Sequence, residues 1–223
     1  MILPTTNRRA SHKLFLTPHV GKDSHGHMKP VATANASLSA DQMQLRYCRI
    51  RVGLRALTQG QLPPFLGSTI RGAMAWCLKN AHCTARRRKT CRGCPSIETC
   101  VYALVFESPV PSWSQRLRSI DSIPHPLVLE NISQGGPIEP DAPVTWDILL
   151  FGRAIKHAND ICSVLNHVAT RGLGVRRIPF ALTWLSDGLS ETPLPLPGQG
   201  SCHPSEESIA DWMPRREPPG GST

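Results

Sequence analysis

The stretch LRYCRIRVGLRAL, residues 45–57, changes character at every second position. Cys48, Ile50, Val52, Leu54 and Ala56 fall on one side of an extended chain, and Arg49, Arg51 and Arg55 fall on the other. Period-two alternation marks a β-strand buried on one face. This strand therefore has a core side and a cationic side, and QGQLPP at 59–64 ends it.

Outward from it, GSTIRGAMAWCLKNAH (67–82) reads as a helix with Ser68 or Thr69 placed to cap its start. Ile70, Met74, Cys77 and Leu78 follow helical spacing, which assigns Cys77 to the core. VYALVF (101–106) and HPLVLEN (125–131) are short apolar runs that suit a strand pair or one interrupted strand. APVTWDILLFG (142–152) reads as a strand, with Val144, Trp146, Ile148 and Leu150 on one side. KHANDICSVLNHVATRG (156–172) carries Ile161, Val164, Leu165 and Val168 at helical spacing and stops at Gly172. VRRIPFALTWL (175–185) alternates again through Ile178, Phe180, Leu182 and Trp184.

The order strand, helix, strand, strand, helix, strand is the ferredoxin-like βαββαβ pattern, an α+β domain over residues 45–186. Another α+β sandwich with the same element order is the alternative. Residues 1–44 are polar and His-rich and read as a mobile arm. Residues 187–223 are rich in Pro, Gly and Ser and read as disordered, with at best a short turn around Ile209 to Trp212.

Twenty-five Lys and Arg against sixteen Asp and Glu give a formal charge of +9, which favours a polyanionic partner such as nucleic acid. No apolar run is long enough for a signal-peptide core or a bilayer span, so the expected location is cytoplasmic, with no membrane partner. Thiols stay reduced there, and eight cysteines read as metal ligands or core residues.

Four of them cluster in CTARRRKTCRGCPSIETC, residues 83–100. Cys83, Cys91, Cys94 and Cys100 suit tetrahedral Zn²⁺, and the same set suits an iron–sulfur cluster. Gly93 permits the tight turn that aims Cys91 and Cys94 at one point. Arg86, Arg87, Arg88, Lys89 and Arg92 share this insert. They suit offsetting the negative charge of four thiolates around zinc, or facing RNA phosphates, or simple solvation. With Arg49, Arg51, Arg55, Arg171, Arg176 and Arg177 they make one basic inventory that favours nucleic acid.

LPPFLGSTIRGAMAWCL (62–78), CRGCPSIETCVYALVFES (91–108), PHPLVLEN (124–131), ILLFGRA (148–154) and GLGVRRIPFAL (172–182) together resemble the CRISPR-associated precursor-crRNA processing endoribonucleases of the RAMP superfamily. The likeness is to the subgroup with a Cys-rich insert after the first helix and runs from about residue 46 to 185. It implies ferredoxin-like domains and repeat-RNA cleavage with no metal in the chemistry. A ribose 2′-hydroxyl attacks the adjacent phosphate and leaves a 2′,3′-cyclic phosphate. It also implies retention of the crRNA product and association with other CRISPR effector subunits. Such chemistry needs a base and cations around the phosphorane. His82, at the end of the first helix, is the nearest base candidate, and Arg71 within that helix suits phosphate or a carboxylate equally. His82 also suits a helix-ending charge or a spare metal ligand. His125 and His157 read as surface or structural residues, and Tyr47 is a lesser candidate. The family's second ferredoxin-like domain and its mid-helix His have no counterpart in this sequence, which reads either as a one-domain variant from a minimal system such as type IV or as a truncated copy. A non-catalytic crRNA-binding subunit and a zinc-containing nucleic-acid adaptor are the competing readings.

Overall fold

The computed structural model describes residues 45–110 and 122–212. The segment assigned to a mobile arm (1–44) and the last eleven residues (213–223) lie outside the described residues.

The alternating stretch forms β1 (Arg46–Ala56), and it lies in the middle of the sheet. Its even-numbered side chains, Cys48 through Ala56, are buried. On one flank β1 pairs antiparallel with β5 (Pro143–Phe151), and on the other with β6 (Phe180–Asp187). β3 (Leu127–Glu130) pairs antiparallel with β5. Along the sheet the strands therefore run β3, β5, β1, β6. A separate two-stranded ladder joins β2 (Gly60–Gln61) to β4 (Pro137–Ile138).

The inward side chains of β1 meet Val144, Trp146, Ile148 and Leu150 of β5 in one apolar cluster. Helix α1 (Gly67–His82) closes over this face with Ile70, Ala73, Met74, Cys77 and Leu78. Past β5 comes a 3₁₀ turn (Gly152–His157), then α2 (Ala158–Ser163) and α3 (Leu165–Arg171). These contribute Ile161, Val164, Leu165 and Val168 to the same core. The molecule is an α+β protein built on an antiparallel sheet.

Several local expectations are corrected. No side chain caps α1: its N-cap is Leu66, and neither Ser68 nor Thr69 bonds the first turn. The run at 101–106 is no strand, because Ala103–Glu107 forms a π-helical turn closed by the Ser108 N–H on the Ala103 carbonyl at 2.7 Å. An apolar run of this length fits a buried helix as well as a strand. The second helix is broken at Val164 into two short pieces. It does stop at Gly172, whose φ of +84° lies in the left-handed region and where a Cβ would run into the Arg177 carbonyl.

β6 also departs from strict alternation. Its register against β1 shifts between Gly53 and Leu54, opposite Trp184 and Leu182. The extra residue, Thr183, donates its hydroxyl to the Gly53 carbonyl at 2.9 Å. The bulge turns Trp184 out, leaving it 43% exposed across Gly53, and turns Leu185 into the core. A side chain at position 53 would collide with that indole.

Residues 188–212 do not hang free. β7 (Pro193–Leu194) pairs with β6, and β8 (Glu207–Ser208) pairs with β1 at Arg46 and Tyr47. A one-turn helix, α4 (Ile209–Trp212), follows. Cys202 is buried against Cys162, with their sulfurs 2.6 Å apart, and its N–H donates to Asn159 Oδ1. Buried Asp187 accepts the N–H groups of Leu189, Ser190 and Ser205. Burial pushes its carboxyl up, but these N–H donors outweigh that and hold it below its ordinary value.

Candidate nucleic-acid interface and acid–base site

The cationic face of β1 is present, and it is charge-compensated. Arg49 reaches Glu130 at 3.3 Å and Asp147 at 3.4 Å. Arg51 lies 3.9 Å from Asp147 and 3.2 Å from Glu191. Arg55 holds Asp141 at 2.6 Å. Asp147 sits at the centre, only 5% exposed, and also accepts the Asn131 amide at 2.7 Å. The acidic partners come from β3, β5 and two turns, so the strand's own sequence gave no sign of them. An arginine already satisfied by buried carboxylate has little to offer a phosphate.

The insert is different. Among the described residues, none of Arg86, Arg87, Arg88, Lys89 and Arg92 has a carboxylate within 4.0 Å. Two of them bond backbone carbonyls: Arg86 Nε donates to Cys83 at 3.3 Å, and Arg88 donates to Arg92 and Gly93. These bonds organise the loop, and no ion pair among the described residues offsets its charge. A shallow pocket of about 430 Å³ lies among Cys83, Thr84, Ala85, Arg86, Arg87 and Arg88.

Cys83 ends α1, and Cys91 and Cys94 are joined by a turn in which the Cys94 N–H bonds the Cys91 carbonyl at 3.0 Å. Gly93 has a φ of +69°, as that turn requires. Cys83 and Cys91 are buried, while Cys94 and Cys100 are half-buried. Burial, followed by the Glu107 charge, pushes the Cys91 thiol up, and Cys83 and Cys100 are close enough to add to the shift. The soft donor set fits zinc, although among the described residues no three His, Cys, Asp or Glu side chains stand together as a ready-made metal site.

The remaining basic residues divide. Arg171 lies flat on Trp76, its guanidinium carbon 4.2 Å from the ring centre. Arg176 and Arg177 are exposed in the turn between α3 and β6, beside Val175. Gly174 of the same turn packs near Pro63, and two residues on from Pro63 the fully presented Phe65 is 86% exposed. Exposed aromatic and cationic side chains are the parts from which single-strand surfaces are made. Phe65 carried no period that could have flagged it.

The two proposed catalytic residues do not meet as expected. His82 Nε2 is buried without a hydrogen-bond partner, which suits a structural helix end better than a base that must reach substrate. Arg71 instead belongs to a group built by the π-helical turn and the start of β3. Its guanidinium lies over Phe106 at 5.1 Å and donates to the Leu127 carbonyl at 3.3 Å. His125, two residues before that carbonyl, is exposed, and its Nδ1 is 2.8 Å from Ser108 Oγ. Partial burial first, and then the Arg71 charge, hold His125 below its ordinary pKa, with Glu107 opposing them. Glu107 in turn accepts the Tyr102 hydroxyl at 3.0 Å. His125 was set aside as surface in the sequence. Its signal, a His between two prolines, is visible only once Ser108 and Arg71 are brought beside it. His157, by contrast, pairs with Asp160 at 2.8 Å, and Tyr47 donates to Glu207 and stacks on Phe151.

No helix among the described residues is long and apolar enough to cross a membrane. No curated protein matches the chain. A family model described as an N-terminal domain does match, over residues 45–203, and the chain accordingly belongs to that family, AF_1859_N.

Proposed function

We propose that the protein binds CRISPR repeat RNA and cuts it as a metal-independent endoribonuclease. The domain would be ferredoxin-like, with a zinc-organised Cys-rich insert. The strand order supports the fold reading. In the βαββαβ series, β3, β5, β1 and β6 are the second, third, first and fourth strands, the split βαβ arrangement. The observation that carries the RNA reading is the uncompensated cation run of Arg86, Arg87, Arg88, Lys89 and Arg92, set against a face of β1 whose arginines are all paired. Free cations beside a shallow pocket suit phosphates and release counterions on binding.

In this reading Cys83, Cys91, Cys94 and Cys100 hold the zinc, with an iron–sulfur cluster as the alternative. Four thiolates leave no open position for water, so the metal braces the insert and acid–base work falls on side chains. The crRNA product stays bound, other CRISPR effector subunits assemble on it, and the setting is the cytoplasm. Elemental analysis of protein prepared without chelators should find about one zinc, or iron with sulfide, per chain. Neither being found ends the metal reading.

The deciding experiment incubates the full chain with a CRISPR repeat hairpin in EDTA. Products ending in a 2′,3′-cyclic phosphate support the enzyme. Salt-sensitive binding without cleavage leaves the non-catalytic crRNA-binding subunit. Binding that ignores salt overturns the RNA reading altogether.

A further inference from the structure

We propose that His125 is the general base of this site, that Ser108 sets its ring tautomer, and that Arg71 faces the scissile phosphate. The inference rests on the RNA-cleavage reading above, keeps Arg71 where the sequence placed it, and assigns the base to His125 and its orientation to Ser108, which the sequence did not single out as catalytic.

One hydrogen decides the tautomer of His125. Ser108 Oγ lies 2.9 Å from the Leu104 carbonyl, which can only accept, so the single hydroxyl proton goes there. Toward His125, 2.8 Å away, the same oxygen must then accept. That requires a proton on Nδ1 and leaves the lone pair on Nε2. Ser108 is not itself a nucleophile, being 1% exposed with its proton already committed. Its backbone is in the left-handed region, φ 42° and ψ 59°, at the end of the π-helical turn. Strain of this kind in a non-glycine residue, and π-helical turns themselves, concentrate at functional sites.

His125 is exposed, so Nε2 can meet a substrate, which the buried Nε2 of His82 cannot. Arg71 has five N–H donors, one of them spent on the Leu127 carbonyl. Stacking on Phe106 holds its plane and leaves donors for non-bridging phosphate oxygens. In the step, Nε2 takes the proton of the ribose 2′-hydroxyl and the 2′-oxygen bonds to phosphorus. The P–O5′ bond breaks, its electron pair leaves with the 5′-oxygen, and water protonates that oxygen. The imidazolium returns its proton to solvent. Arg71 offsets the charge that grows on the phosphorane. Among the described residues the charged groups facing the ring are Arg71 from α1 and Glu107 from the π-helical turn, and the lowered pKa keeps the ring neutral and ready at neutral pH.

The test uses the full chain and the repeat hairpin in EDTA under single-turnover conditions. His125→Ala should slow cleavage by about 10²–10⁴-fold with RNA affinity unchanged, while His82→Ala cuts at the wild-type rate. The wild-type rate should rise with pH through a value below 6.5, and Arg71→Ala should move that limb upward because its cation no longer disfavours the protonated ring. Nitrogen NMR of His125 should show Nδ1 protonated, and Ser108→Ala should release that preference. Wild-type cleavage with an undiminished His125→Ala rate overturns this assignment alone, as does a ring protonated on Nε2. A wild type that makes no cyclic-phosphate product takes the cleavage reading down with it.

Discussion

Two clusters of arginine in this chain carry the same side chain in opposite electrostatic states. On β1, Arg49 and Arg51 meet carboxylates from elsewhere in the fold around the nearly buried Asp147, and Arg55 meets Asp141. In the insert, Arg86, Arg87 and Arg88 meet, among the described residues, at most backbone carbonyls. The first cluster glues strands together, and the second is free to attract an anion. A positive residue count cannot separate these roles, because the cancelling charges of the first lie far away in sequence.

The largest expected effect lies on β1. Asp147→Ala would leave Arg49, whose side chain is 26% exposed and whose Nε already lacks a partner, with Glu130 alone among the described carboxylates. Removing one member of a largely buried pair should cost about 3 kcal/mol, read as a lower urea midpoint. An unchanged midpoint would break the comparison, since the lattice would then hold nothing together. Next comes the insert. Replacing Arg86, Arg87 and Arg88 with Ala should leave the urea midpoint alone and flatten the salt dependence of RNA binding by about 2 log units per log unit of salt, from ~0.7 per phosphate on a single strand. A slope that stays put would show that the run only faces solvent. Smallest is Arg55→Ala. Its pair with Asp141 is exposed on both sides, 52% and 74%, so both stability and RNA affinity should move little, by about 0–1 kcal/mol. A large loss of RNA affinity there would sharpen the division by moving Arg55 to the binding side.

What the sequence revealed and hid follows from the range of each signal. The buried faces of β1 and β5 were legible because period-two alternation is a local property. So was Cys77 in the core, from helical spacing. The run at 101–106 was ambiguous because burial all round erases period. The bulge at Thr183 was hidden because it arises from the fit of β6 to Gly53, not from β6 itself. The tail misled because its anchors, Leu194, Leu196 and Cys202, are spaced among prolines with no period at all. At the site, Arg71 was found as a cation inside a helix. His125 was missed because its meaning depends on Ser108, 17 residues away, and on Arg71.

The place of β1 has a consequence for how the protein comes to be folded. The first strand of the described residues is the middle strand of the sheet. Its contacts reach across 98 residues to Asp147, 130 to Thr183 and 160 to Glu207. None of these partners exists while α1 is leaving the ribosome, and closing such long loops carries an entropic cost before any pairing rewards it. At 5–20 residues per second, about 5 to 20 seconds separate synthesis of β1 from synthesis of β5, the first strand that pairs with it. For that interval a strand with one apolar face waits unpaired, and three arginines along its other face are well suited to keeping it from adding to another chain's sheet.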